Sequence, residues 1–168
     1  KYFENLVKQN LEAEEGFKIF MFHTAISEFK PEGLEKMDST PLSEFPKGFD
    51  YYAGGHVHAP YVKQQPDYGT IANTGPLFPN NFRELEKLGC GGFYIVENNS
   101  GLQTEFQRVM VHNVFSITID CNHKSISQVE EAIMDKITGK EFNSTIVTIR
   151  LEGKLETGKP SEIPFKSI

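Results

Sequence analysis

Runs of apolar residues along the chain predict many short strands and few helices. Residues 17–23 (FKIFMFH) form a short, aromatic run that is typical of a buried strand. Residues 2–14 place apolar side chains at helical spacing, and Gly16 follows where that helix is expected to end. Residues 24–48 contain three prolines and no sustained period, which predicts a long loop with a turn or two of helix. Turn-forming residues bound the further strands predicted at residues 49–53, 61–63, 70–73, 93–97 and 102–112.

The pattern changes near residue 112, where a smaller unit is predicted to begin. Residues 114–120 (VFSITID) and 145–151 (TIVTIRL) alternate between apolar and polar positions, as half-buried strands do. Residues 125–137 lie between them, with apolar side chains at helical spacing and a serine and a glutamine that fit a capping box. A strand–helix–strand unit of this size has its own small core. We therefore predict two domains, residues 1–112 and residues 113–168.

Composition and charge exclude several classes of protein. The 168 residues are 38% hydrophobic and 24% charged, which is typical of globular proteins. The net charge is −6 and neither predicted domain has a basic stripe, which argues against an independent nucleic-acid-binding module. The apolar runs are too short to span a bilayer, so no membrane contact is expected, and the two cysteines favour a reducing, cytoplasmic compartment. The chain begins at Lys1 without a methionine or a signal peptide, and we expect it to be part of a longer protein.

Three histidines at predicted strand ends are the main candidates for chemistry. His56 and His58 stand two positions apart in the segment GGHVH, directly after the predicted strand 49–53, and the preceding glycines ease a sharp turn there. His23 closes the predicted strand 17–23. Taken alone, His23 is better explained as a core residue, but the three imidazoles at two strand ends together indicate metal ligands.

The histidines alone leave the kind of metal site open. Three neutral imidazoles suit a single zinc ion with one water. A two-metal hydrolytic centre also needs bridging carboxylates. Asp38 and Asp50 are nearby in sequence, and both are better explained as loop or surface charges.

The remaining candidates are weaker. His112 and His123 have no partner at ligand spacing and are expected at the surface or the domain boundary. Cys90 and Cys121 are expected to be small buried thiols. The segment NTGP at residues 73–76 could present backbone N–H groups to an anion, and an ordinary turn explains it equally well.

Two segments resemble a known family. FKIFMFHTAISE and GFDYYAGGHVHAPYV resemble the last two metal-ligand motifs of the calcineurin-like metallophosphoesterases, and above all of the SbcD-type DNA repair nucleases. The segments NTGPL and GGFYIVENNSG and the tail after residue 113 also resemble that family. The resemblance implies an α/β fold: the second half of a metallophosphoesterase β-sandwich flanked by helices, over residues 1–112, and a small α/β capping domain over residues 113–168.

The resemblance also implies roles for the histidines. His23 and His56 would bind one manganese ion of a pair, and His58 would bind the other. The family's Asp-x-His, Gly-Asp and Asn-His-Asp motifs are absent from the chain, and the last of them holds the catalytic histidine. We therefore expect no catalytic residue and no further cofactor site in this chain, and no activity from the chain alone.

The whole protein implied by the resemblance is an intracellular DNA exo- and endonuclease of double-strand-break repair. It would act with an SbcC-type ATPase, dimerise through the part that is absent from this chain, and lie with the nucleoid if the source is prokaryotic. Two alternatives remain open at this point. One is a non-catalytic fragment that binds DNA or a partner protein, and the other is a phosphoesterase for small phosphoesters.

Overall fold

The computed structural model describes residues 8–168, apart from the side chain of Gln9. The first half of the helix predicted over residues 2–14 lies outside the described residues. The helices are α1 (Lys8–Ala13), α2 (Phe82–Leu88) and α3 (Ile126–Ile137). The strands are β1 (Ile19–His23), β2 (Ala25–Ile26), β3 (Ser39–Thr40), β4 (Tyr51–Gly55), β5 (Tyr61–Gln65), β6 (Gly69–Asn73), β7 (Gly91–Asn98), β8 (Leu102–Val109), β9 (Asn113–Asp120) and β10 (Thr145–Glu152). Single 3-10 turns occur at Ser27–Phe29, Leu42–Glu44 and Pro160–Glu162.

The chain divides into two compact units whose bounds differ from those of the predicted domains at residues 79–90 and 110–112. The first unit extends to Phe78 and also includes Gly91–Val109, and the second contains Pro79–Cys90 and Met110–Ile168. Residues 79–90 and 110–112 were predicted to belong to the first domain, whereas the structure groups them with the second unit. The interpretation of the two parts as nuclease half and cap stays a prediction.

A four-stranded mixed sheet organises the first unit. Its strand order is β1-β4-β6-β5, with β1, β4 and β6 parallel to one another and β5 antiparallel to β6. Strands β7 and β8 form a separate antiparallel pair. The α/β class predicted from the sequence is thus confirmed. In the part of the chain that the structure describes, no helix has the length and apolar character needed to cross a bilayer.

An aromatic cluster on one face of this sheet forms the core of the first unit. Phe20 and Phe22 point to the same face of β1, because side chains alternate along a strand. The ring of Phe45 packs against both, at 5.4 and 4.9 Å between centroids. Full burial of a side chain of this kind contributes about 1.5–3 kcal/mol. The cluster also contains Ile26, Leu42, Tyr52, Tyr68 and Ile71.

The long segment between β1 and β4 is tied to the core rather than loose. Ile26, Leu42 and Phe45 are buried. Short strands β2 and β3 pair with each other, and the two 3-10 turns match the predicted turn or two of helix. The segment therefore forms a fixed cover over one face of the sheet.

The opposite face of β1 is exposed. Ile19 and Met21 are 53% and 79% accessible to solvent, and Phe17, just before the strand, is also exposed. Among residues 8–168, β1 pairs only with β4, so it is an edge strand. An edge strand whose exposed face is apolar favours association with another chain.

The second unit consists of two parallel strands with a helix on each face. On one face Ile117 and Ile119 of β9 pack with Val129 and Ile133 of α3. The predicted capping box is present, since the Ser125 hydroxyl accepts from the Gln128 N–H and the Gln128 side chain accepts from the Ser125 N–H.

Helix α2 covers the other face of these strands and was not predicted. Asn81 caps its start by accepting from the Glu84 N–H, and Gly89 ends it with a left-handed φ of 67°. Arg150 of β10 forms a forked ion pair with Glu86, its Nε lying 2.9 and 3.1 Å from the two carboxylate oxygens, and its guanidinium stacks on Phe82. These contacts explain why residues 79–90 belong to the second unit.

The buried Tyr52 makes the stability of the first unit sensitive to alkaline pH. Its hydroxyl donates to the Pro46 carbonyl at 2.6 Å, and burial raises the pKa of Tyr52 to about 12. Between pH 10 and 12 the folded state therefore keeps a proton that the unfolded chain loses, so the free energy of unfolding falls as the pH rises through this window.

Replacement of this tyrosine tests the effect. We expect Tyr52→Phe to flatten the pH dependence of urea unfolding in that window and to cost about 1 kcal/mol at neutral pH through the lost hydrogen bond. Burial raises the pKa of Tyr61 to about 12 as well. Tyr61→Phe is the matched control. It should also flatten the pH dependence of unfolding, but it keeps the hydrogen bond from Tyr52 to the Pro46 carbonyl. Equal pH profiles for wild type and Tyr52→Phe would contradict the assignment.

The exposed apolar face of β1 leads to a second prediction. Ile19→Thr combined with Met21→Thr should lower self-association and the uptake of a hydrophobic dye, with little change in the thermal midpoint, because both side chains are exposed. Val62→Thr, on the strand at the other edge of the sheet, is the control. Sedimentation and dye fluorescence measure the outcome, and a monomeric wild type with no dye uptake would contradict it.

Candidate metal centre

The parallel pairing of β1 and β4 brings the predicted histidine positions to one end of the sheet. His23 is the last residue of β1, and its partner in register is Gly55, the last residue of β4. His56 follows directly. The carboxyl ends of parallel strands commonly carry functional side chains, because loops leave the sheet together there.

The absence of a side chain at Gly55 leaves room for the His23 imidazole. A Cβ atom at this position would lie 2.9 Å from His23 Nδ1, closer than unbonded atoms of this kind approach. Gly54 has a different neighbour, since a Cβ there would overlap the Phe22 ring and approach the Ala72 carbonyl to 3.0 Å. The prediction that these glycines end the strand was wrong: β4 continues through both, and they allow close packing within it.

A left-handed backbone turns the chain at His56. Its φ is 90°, a conformation that side-chain-bearing residues seldom adopt and that is costly unless the surroundings enforce it. The turn places the His56 ring next to that of His23, with 5.3 Å between centroids and an angle of 67° between the planes. Both side chains are exposed, so a solvent ion can reach them.

His58 projects from a segment that is anchored on both sides. Val57, just before it, is 2% exposed. Asn73 at the end of β6 donates from Nδ2 to the Val57 carbonyl at 2.6 Å and to the Ala59 carbonyl at 2.9 Å. The His58 side chain itself is exposed.

The structure brings together two of the three predicted ligands. Within residues 8–168, no group of three or more His, Cys, Asp or Glu side chains lies close enough together to hold a metal ion. Asp50 is at the opposite end of the sheet, where it accepts from the Lys18 N–H at 2.7 Å and ties the starts of β1 and β4. Asp38 lies in the covering segment just before β3. Neither carboxylate joins the histidines.

The donor set fits part of a metal site. Two adjacent imidazoles provide nitrogen ligands of the kind that zinc and related divalent ions accept. A complete site needs further ligands, and a hydrolytic two-metal site needs carboxylates among them. The pair is therefore suited to bind one side of an ion whose other ligands come from elsewhere.

The weaker candidates lie outside this site. Both cysteines are buried, as expected. His112 and His123 are exposed, in the connections after β8 and β9. The hydrogen bonds of Asn73 beside His58 were not predicted, because residues 73–76 were interpreted as an anion-binding or a plain turn. A polar residue at the end of the apolar strand GTIAN was the available signal.

The chain is similar to curated proteins that share one description, DNA double-strand break repair protein Mre11. The relative from Methanococcus maripaludis is 26% identical over 73% of this chain and 31% of its own length. The relative from Saccharolobus solfataricus is 28% identical over 81% and 36%, and that from Methanopyrus kandleri is 30% identical over 62% and 23%. No protein-family profile matches the chain.

These similarities confirm the resemblance to the Mre11/SbcD nuclease family and support the metallophosphoesterase fold class that it implies. The chain spans about a third or less of the length of these relatives.

The two glycines of β4 provide a test of the site geometry. Gly54→Ala should lower the thermal midpoint strongly, because the added methyl group meets the Phe22 ring and the Ala72 carbonyl within the packed sheet. Gly55→Ala should lower it less, since the exposed His23 ring can move away, and should shift the NMR signals of the His23 imidazole. The reverse order of midpoints would contradict this account.

Proposed function

We propose that the chain is part of a metal-dependent DNA nuclease of double-strand-break repair, and that it contributes three histidine ligands and a DNA-orienting cap. The observation that carries the proposal is the pairing of the His23 and His56 rings at adjacent strand ends in a chain that resembles Mre11 proteins. The whole protein would hydrolyse phosphodiester bonds as an exo- and endonuclease.

In this proposal the histidines hold metal and move no proton. His23 and His56 bind one ion of a manganese pair, which their adjacent rings favour. His58 binds the second ion, from a backbone held on both sides. Bound divalent ions would stabilise the negative charge that develops on the phosphoryl group during hydrolysis.

The remaining ligands and the catalytic residues lie outside this chain in the proposal. This is compatible with residues 8–168, in which His23 and His56 are adjacent but no group of three or more ligand side chains occurs. The chain alone should therefore be inactive. The second unit would act as the cap and orient DNA through phosphate contacts, which carry no sequence information. An SbcC-type or Rad50-type ATPase would be the partner, and the whole protein would be intracellular and dimerise through the absent part.

A non-catalytic piece that binds DNA or a partner protein is the second candidate. The observation that favours it is the same incomplete ligand set, together with the net charge of −6. In that case the histidines would have no role in metal binding. The two candidates thus differ in whether the chain binds manganese through these residues.

Manganese binding by the chain distinguishes them. We expect Mn²⁺ to bind, as followed by the loss of free-ion signal in electron paramagnetic resonance, and His56→Ala to weaken binding by about tenfold or more, as removal of a ligand should cost at least as much as removal of an outer partner. His123→Ala is the matched control, because it removes an exposed histidine on a left-handed backbone in the second unit.

Two results would contradict the proposal. Equal Mn²⁺ affinity in wild type and His56→Ala would favour the non-catalytic candidate. Manganese-dependent cleavage of DNA by the chain alone, abolished in His56→Ala, would show that the site is complete without further ligands.

A further inference from the structure

The side chain of Asn73 is hydrogen-bonded to the backbone on both sides of His58. Asn73 is 1% exposed at the end of β6. Its Nδ2 donates to the carbonyls of the residues directly before and directly after His58, Val57 at 2.6 Å and Ala59 at 2.9 Å. One buried amide group thus fixes the backbone on both sides of a single side chain.

The orientation of this amide is determined by its partners. Both neighbouring groups are carbonyl oxygens, which only accept hydrogen bonds, so the nitrogen must face them. Asn73 Oδ1 then faces away and has no hydrogen-bond partner among the described residues. A buried acceptor without a partner costs about 1–3 kcal/mol. The fold accepts this cost at a side chain that is bonded to the segment directly after His56, whose backbone is left-handed.

The turn after Asn73 supports the same segment from a second direction. Gly75 has a φ of 68°, and a Cβ atom on it would lie 3.0 Å from Pro60 Cδ and 3.1 Å from Pro60 N. The turn therefore packs directly on the backbone that follows His58. Asn73 and Gly75 thus both contact the segment 57–60.

We propose that Asn73 is a positioning residue for the metal centre, acting through His58, with Gly75 as its support. The proposal rests on the proposed metal-binding function and assigns a role to the NTGP segment. Neither an anion-binding nor a purely connecting role requires a side-chain amide aimed at the two carbonyls beside a histidine. A rigid backbone at His58 lowers the entropy that is lost when its imidazole binds an ion, which is how outer partners strengthen metal sites.

The first test compares two buried polar residues on the same strand. Asn73→Ser keeps a polar group that is too short to reach both carbonyls. Thr70→Val is the control, since Thr70 is 4% exposed on β6 and its hydroxyl accepts from Gln64 Nε2, outside the histidine segment. We expect Asn73→Ser to weaken Mn²⁺ binding about tenfold and to speed amide hydrogen exchange in residues 56–59. Thr70→Val should leave the Mn²⁺ affinity and the hydrogen-exchange rates within about twofold of wild type, whatever its thermal midpoint.

A double variant tests whether Asn73 acts through His58. If it does, His58→Ala combined with Asn73→Ser should bind Mn²⁺ no more weakly than His58→Ala alone. Additive losses would contradict action through His58. Gly75→Ala perturbs the same segment without removing a buried side chain. It replaces Asn73→Ser in the test if that variant does not fold. In that case, an Mn²⁺ affinity of Gly75→Ala within about twofold of wild type would overturn the proposal.

The outcomes separate this inference from the proposed function. Wild-type affinity in His23→Ala, His56→Ala and His58→Ala alike would contradict the metal-binding function itself. Reduced affinity in His58→Ala together with wild-type affinity in Asn73→Ser would contradict only the role of Asn73. Unchanged hydrogen exchange in residues 56–59 of Asn73→Ser would also overturn that role.

Discussion

The parallel register of β1 and β4 is the constraint on which the site depends. It sets His23 opposite Gly55, so that the residue after Gly55 is the first that can turn back over the end of β1. If the register shifted by one residue, His23 would lie on the other face of the sheet from Gly55. A residue with a side chain would then take a position at which only the hydrogen of a glycine fits. The register in turn is fixed by the aromatic side chains of both strands, because Phe20, Phe22 and Tyr52 must all reach the same core.

The core and the site are therefore built from alternate residues of the same strands. In β1 the even-numbered aromatic residues are directed to the buried cluster, while the odd-numbered face ends in His23. In β4 the same division puts Tyr52 in the core and leaves glycine where β1 approaches most closely. Hydrophobic burial supplies the stability that this arrangement needs. The unfavourable features lie beside the core: the left-handed backbone of His56 after β4, and the amide oxygen of Asn73 at the end of β6, which has no partner among the described residues.

Sequence patterns predicted the elements better than they predicted the contacts between them. The aromatic run of β1, the alternation in β9 and β10 and the Ser125 capping box are local signals, and the structure contains all of these elements. Helix α2 is short, and its pairing of Glu86 with Arg150 joins residues 64 positions apart, which no local pattern encodes. The adjacency of His23 and His56 followed from strand ends in the sequence, but the hydrogen bonds of Asn73 beside His58 depend on two separate segments that meet in space.

Helix α2 also gives the chain an interleaved order. Because residues 79–90 belong to the second unit while residues 91–109 return to the first, the backbone passes between the units three times, after residues 78, 90 and 109. No single cut of the polypeptide can release either unit whole, and a cut at residue 112 would strip β10 of the helix that covers Arg150. During synthesis the sheet of the second unit, formed by β9 and β10, cannot form until β10 has emerged, long after α2 has been made. The two units are thus joined by three separate connections of the chain.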